Sequence, residues 1–189
     1  KHALTKVSVY IKSGDNVVGK KVTAFSITSA KSGTLTYHAP DAGNADDSGT
    51  GWTYSTPAET ETFPAAAATA TPGFAVPDTK AAEKKLLSTF FLLPRGEGST
   101  FSITYTAPGK LSTGATITQT ISLAGQPLPS LDQWTQGAFI TYTIGIEKKQ
   151  ITVTAATQPT WTDSGKETVT GSYTITPPTP AGAMAERVR

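Results

Sequence analysis

The sequence predicts an all-β fold, an antiparallel β-sandwich, and three observations carry that expectation. The first is alternation. Ala138, Ile140, Tyr142, Ile144 and Ile146 recur at every second position, a charged turn follows, and Ile151, Val153 and Ala155 resume the pattern. Thr141, Thr143, Thr152 and Thr154 fall between them. A period of two puts the apolar set on one face and the hydroxyls on the other, the mark of a half-buried β-hairpin. The second is composition. Charged residues are only 16%, and 34 of the 189 residues are threonine, so the polar faces are made of β-branched hydroxyl side chains that suit a pleated sheet. The third is punctuation: short alternating runs separated by Gly, Pro, Asn and Asp clusters.

The elements follow in order. Residues 2–12 alternate, with Val7, Val9 and Ile11 on one face, and Ser13-Gly14-Asp15-Asn16 turns the chain. Residues 21–30 form a second strand. Phe25 and Ile27 share one face, whereas Val22 and Ala24 lie on the other, which predicts a bulge or a register change. Ser32-Gly33 leads into TLTYH, a short third strand. Alternation then fails, and the segment of about 40–80 reads as one long irregular loop anchored by Phe63, Phe74 and Val76. Four alanines at 65–68 suggest a helical turn, but Pro64 and Pro72 leave little room for one. Order returns at Leu86, where LLSTFFLLP is a dense apolar run ended by Pro94. After the Arg95–Gly98 turn, Phe101, Ile103 and Tyr105 align, and after Pro108-Gly109 so do Ile117, Ile121 and Leu123. A Pro-interrupted loop precedes the 138–155 hairpin. The last alternating segment, ETVTGSYTIT, places Val169, Tyr173 and Ile175 on one face around Gly171. Residues 1–166 are read as one sandwich domain. Residues 167–189 are read as a C-terminal extension with one strand-like segment and a flexible Pro-rich end.

Little in the chain is written like an active site. Net charge is +2 and the lysines are scattered, with no basic stripe or aromatic platform, so no nucleic-acid partner is expected. The absence of cysteine excludes disulfides, Cys-ligated metals and thiol chemistry. No segment reaches the ~18 apolar residues of a membrane helix. The chain opens on Lys1-His2 and is expected to be a processed chain or a fragment, with any targeting segment upstream. His2 and His38 have no ligand spacing with Asp41, Asp46 or Asp47. Asp41, Asn44, Asp46 and Asp47 lack the closing Glu of a calcium loop and read as an acidic turn. Arg95–Gly98 precedes a strand, so it offers no helix N-terminus to an anion. No Gly-x-Ser-x-Gly elbow occurs. No catalytic, cofactor-binding or metal residue is therefore expected, and the chain is not expected to be an enzyme. Trp134 and Trp161 flank the hairpin and are expected to seal the ends of the core. Trp52, with Tyr54 in a Gly-rich segment, is the candidate ligand loop, a pair suited to stacking on sugar rings.

Several stretches also carry a family likeness. They are HALTKV at 2–7, FFLLP at 90–94, the spacing of Trp134, Gly137 and Tyr142, then Ile144 and Ile151, and WTD at 161–163. In that order they resemble the second half of the fimbrillin-like proteins of Bacteroides and their relatives, which include the stalk, tip and anchor subunits of fimbriae. The resemblance implies a transthyretin-like Greek-key sandwich, exported to the cell surface or outer membrane as a fimbrial subunit or related surface lipoprotein. It implies a structural or adhesive role without a cofactor. The implied partners are other subunits of the same assembly and host or bacterial glycans or proteins. The chain departs from the family pattern where it continues past WTD from 164 to 189. An alternating segment there can fill the open edge of a neighbouring sandwich, with Val169, Tyr173 and Ile175 as donor-strand residues. The plainer reading is that it is the ordinary last strand of its own domain. The main expectation is a structural or adhesive subunit assembled through β-strand contacts. The alternative is a carbohydrate-binding surface module using Trp52 and Tyr54.

Overall fold

Val7, Val9 and Ile11 are fully buried, and the strand they specify, β1 (Thr5–Ser13), sits inside a five-stranded sheet. A computed structural model describes residues 3–36, 51–111, 113–158 and 168–176 of the chain. The remaining strands are β2 (Lys21–Ala30), β3 (Thr34–Thr36), β4 (Gly51–Thr53), β5 (Thr60–Pro64), β6 (Phe74–Ala75), β7 (Lys85–Leu92), β8 (Thr100–Lys110), β9 (Thr116–Pro127), β10 (Phe139–Ile146), β11 (Ile151–Gln158) and β12 (Thr168–Ile175). One large sheet runs β12-β11-β10-β1-β7. The other runs β5-β2-β8-β9, with the short β6 beside β2, and β3 and β4 form a separate hairpin. Neither large sheet closes into a barrel.

The two sheets share one core. Phe25 of β2 lies 6.3 Å from Phe90 of β7 and 6.0 Å from Phe101 of β8, centroid to centroid, so its ring joins both layers. Around it pack Val22, Ile27, Ile103 and Tyr105 from one sheet and Ile140, Tyr142, Ile144 and Val153 from the other. This is sandwich packing, in which alternate apolar residues of the central strands fill the space between the sheets. The register change foreseen in β2 falls between Val22 and Ala24. It lets Val22 and Phe25, three positions apart, both face the core.

Two expectations are corrected. The sandwich is not purely antiparallel, because β1 and β10 pair in parallel, from Lys6 opposite Phe139 to Ser13 opposite Ile146. Alternation encodes which face is buried and carries no strand direction. Between β1 and β10 the chain crosses to the other sheet, returns for β7 at the edge, and crosses again for β8 and β9 before β10 enters beside β1 from the same end. The second correction concerns the 40–80 loop. Its described part, from residue 51, contains β4, β5, β6 and one helical turn, α1 (Ala66–Thr69). Pro64 closes β5 ahead of the turn and so does not obstruct it, and Ala65 and Ala68 are small enough to be fully buried. Phe63, Phe74 and Val76 do anchor the segment to the core.

Lys20, just before β2, is the most unusual buried side chain. Its ammonium has no exposure and donates to Ser13 Oγ at 2.7 Å, to the Ile146 carbonyl at 2.8 Å and to the Asp15 carboxylate. Asp15 in turn accepts the amides of Val17 (3.0 Å) and Lys148 (2.8 Å). Burial alone would raise the Asp15 carboxyl. Lys20 and those two amides outweigh it and hold the group below its usual carboxylate value.

The turn after β7 packs against the loop before β10 without slack. A Cβ on Gly96 would lie 2.0 Å from the Leu131 carbonyl oxygen, a backbone atom that cannot rotate away. Gly96→Ala is therefore expected to lower the unfolding free energy by about 2–3 kcal/mol, the upper range for overpacking. Urea denaturation reads this as a lower midpoint with an unchanged slope.

Candidate functional site

The sequence singles out two places, and the structure puts them at opposite margins of the β12-β11-β10-β1-β7 sheet. Trp52 and Tyr54 lie beside the start of β1 and the turn after β7, while Val169, Tyr173 and Ile175 belong to β12. β11 and β10 separate them, so they form no common site.

Trp52 is held on β4 opposite Leu35 of β3. Its indole N–H donates to the Ala3 carbonyl at 2.9 Å, which ties the small hairpin to the entry of β1. The Trp52 and Tyr54 rings lie 6.3 Å apart and within 14° of parallel. The Arg95 guanidinium sits 5.0 Å over the Tyr54 ring, a cation–π contact with an aromatic face. Gly33 is needed beneath: a Cβ there would meet the Tyr54 ring and the Thr53 carbonyl at 3.0 Å. Both aromatic side chains are half-buried, and the Tyr54 hydroxyl is buried with no hydrogen-bond partner among the described residues. Burial raises the Tyr54 phenol, and the Arg95 charge opposes the shift. The arrangement presents a two-ring surface whose polar atoms are turned inward.

β12 pairs antiparallel with β11 of its own chain, with Tyr173 opposite Val153 and Ile175 opposite Ile151. The ladder slips between Ala155 and Ala156, near Gly171 and Val169. Tyr173 and Ile175 pack against the core, and the Tyr173 hydroxyl donates to the Pro127 carbonyl at the end of β9. The strand thus spans the seam between the two sheets. Gly171 permits it: a Cβ there would meet Ser130 Oγ at 2.8 Å and Pro129 Cβ at 3.1 Å. The same loop is fixed from below by Trp134, which is buried as expected. Its N–H donates to the Tyr142 hydroxyl at 2.8 Å, and that hydroxyl donates to the Pro129 carbonyl at 3.0 Å. Trp161 lies outside the described residues, as do His2, His38, Asp41, Asn44, Asp46 and Asp47.

Among the described residues, no group of three or more acidic or histidine side chains is placed to hold a metal ion, and no helix is long and apolar enough to cross a membrane. Neither a known family model nor a curated protein matches the chain.

Burial pushes the phenols of Tyr105 and Tyr173 up to about 12, and that of Tyr142 higher still. The unfolded chain releases these protons near the ordinary 10.0, while the folded protein retains them. The unfolded state then binds fewer protons, so this contribution is whole below pH 10 and is lost as pH rises toward 12. Denaturation midpoints are expected to fall steeply over that interval, with the tyrosinate absorbance of these three phenols appearing only as the protein unfolds. Full tyrosine ionisation in a still-folded protein would contradict the burial described.

Proposed function

We propose that the chain is a structural or adhesive subunit of a cell-surface fimbria or related surface lipoprotein, exported to the outer membrane and joined to other subunits through β-strand contacts. In this reading the sandwich is of the transthyretin-like Greek-key type. One observation carries it: β12 is an edge strand that docks through a single backbone ladder plus the side chains of Tyr173 and Ile175 in the seam between the sheets. A strand bound in this way makes the same contacts whether its own chain or a neighbour supplies it. The fimbrillin-like order of motifs between residues 2 and 163 supports the same reading. The expected result is that the full chain assembles, that a chain ending at residue 166 stays folded and monomeric, and that a peptide of residues 167–176 binds the shortened chain. Light scattering coupled to size exclusion measures the first two. A shortened chain that still assembles would remove β12 as the donor.

A second reading, a carbohydrate-binding surface, draws on the near-parallel and partly exposed Trp52 and Tyr54 rings. Stacking on a pyranose would lose roughly 1 kcal/mol or more with each ring removed. Retention on immobilised glycans should then fall about fivefold or more in Trp52→Ala. A glycan array with no signal for the parent chain would dismiss it.

A further inference from the structure

β9 lies at the margin of the β5-β2-β8-β9 sheet, and among the described residues it pairs on one side only, with β8. The Leu111 amide donates to the Ala115 carbonyl at 2.9 Å, and this pair continues the register that sets Lys110 opposite Thr116. The phase of the ladder follows. Residues 117, 119, 121 and 123 bond to β8, while the N–H and C=O groups of Thr116, Thr118, Thr120 and Ser122 point away from it. Pro108 fits that phase, since it stands opposite Thr118 and needs no N–H toward β9. Sheet margins are usually guarded by charge, proline or a bulge. β5 carries Glu61 and ends on Pro64, β7 begins on Lys85, and the β12 ladder slips near Gly171. β9 has no charged residue from Thr116 to Pro127, and its ladder is regular from Thr116 to Leu123. Past Leu123 the register shifts, and the Gln126 side-chain amide donates to the Ala124 carbonyl at 2.7 Å. Thr116, Thr118, Gln119, Thr120 and Ser122 are all exposed. Read outward from Gln119, this open stretch is nearly symmetric: Thr118 and Thr120, Ile117 and Ile121, Thr116 and Ser122.

We propose that β9 pairs antiparallel with β9 of a second copy, about a two-fold axis at Gln119. In that register Thr118 of one copy stands opposite Thr120 of the other, Ile117 opposite Ile121, and Thr116 opposite Ser122. The outward backbone groups of 116, 118, 120 and 122 then meet one another as bonded pairs. Ile117 and Ile121, each only partly buried, gain an apolar neighbour, and the hydroxyls form cross-strand pairs. The same patch serves both copies, as a two-fold contact requires. No like charges meet: Lys110 stands beside Thr116, so the two copies place it at opposite ends of the joint. The contact is small, below the ~1,200 Å² of stable interfaces, so it forms at high protein concentration and leaves a column-diluted chain monomeric. It is separate from strand donation by β12, which belongs to the other sheet and meets β9 at its far end, at Pro127.

The chain has no cysteine, so one introduced thiol reports one position. On the proposed axis the two residues 119 form a non-bonded pair with Cα atoms about 4.5 Å apart, within the span of a disulfide. The two residues 116 lie about 20 Å apart, beyond that span. At sub-millimolar concentration with oxidised glutathione, full-length Gln119→Cys should therefore crosslink to dimer at least about tenfold faster than Thr116→Cys. Adding Thr118→Pro to Gln119→Cys removes an outward N–H without touching the bonds to β8, and should lower crosslinking to the Thr116→Cys rate. Circular dichroism checks that each variant is folded. Equal rates for Gln119→Cys and Thr116→Cys would overturn the proposal, as would undiminished crosslinking in the folded Thr118→Pro variant. Failure of assembly through β12 would leave the result unchanged, because the crosslink reads β9 alone.

Discussion

The Lys20 ammonium is shut off from solvent, so three oxygens from two stretches of chain, 13–15 and the end of β10, must come to it. Ser13 supplies one from the end of β1, Asp15 one from the following turn, and Ile146 one from the end of β10. Lys20 itself leads into β2 of the other sheet, and its carbonyl accepts the Val76 amide, which fixes the entry of the 74–76 segment. A fully buried ammonium is tolerated only with all its protons satisfied. That requirement makes the geometry of this end of the sandwich nearly obligatory. β1 and β10 must end level with each other, and the β10–β11 turn must reach Asp15. Their parallel register, Ser13 against Ile146, and the Gly14 amide bonded to the Ile146 carbonyl at 2.9 Å are parts of the same constraint.

Much of the sandwich was legible because its strands bury alternate side chains. Val7, Val9 and Ile11, then Phe101, Ile103 and Tyr105, then Ile140 to Val153 read directly as inward faces, and all of them are buried. Even the β2 irregularity showed in sequence, since Val22 and Phe25 fall on opposite phases yet are both apolar. Elements that contribute mainly backbone stayed hidden. β5 pairs with β2 over five positions but offers only Phe63 to the core, and α1 offers alanines. The Lys20 clamp was also invisible: a lysine ordinarily belongs in water, and its Ile146 acceptor is 126 residues away. Strand direction likewise depends on how the chain crosses between sheets, which no local pattern records.

The candidate sites divide along the same line. Their residue types were visible, and their partners were not. Trp52 and Tyr54 stood out as aromatic residues in a Gly-rich segment, but the Ala3 carbonyl and Arg95 that orient them come from distant chain. Tyr173 was visible as an inward residue of β12, while its bridge to Pro127 across the seam was not. The abundance of threonine has a plain physical role on the outer faces. Thr28 bonds Thr62 at 2.9 Å, Thr104 bonds Ser122 at 3.1 Å and Thr154 bonds Ser172 at 3.1 Å, each pair joining neighbouring strands. Such cross-strand hydroxyl pairs stabilise a sheet without charge.

A double-mutant cycle on Asp15 and Lys20 tests the clamp most directly. Removing one partner of a buried pair typically costs about 3–5 kcal/mol, because the other charge is left without compensation. Here Asp15 is 27% exposed and Lys20 is not exposed at all. Asp15→Ala, which strands the ammonium, should therefore destabilise more than Lys20→Met, and the double variant should recover part of the loss. The account predicts a coupling energy of at least about 1.5 kcal/mol, above the range of exposed pairs. Additive single-variant effects, with coupling near zero, would contradict the claim that this buried ammonium fixes the ends of β1 and β10 against the entry of β2.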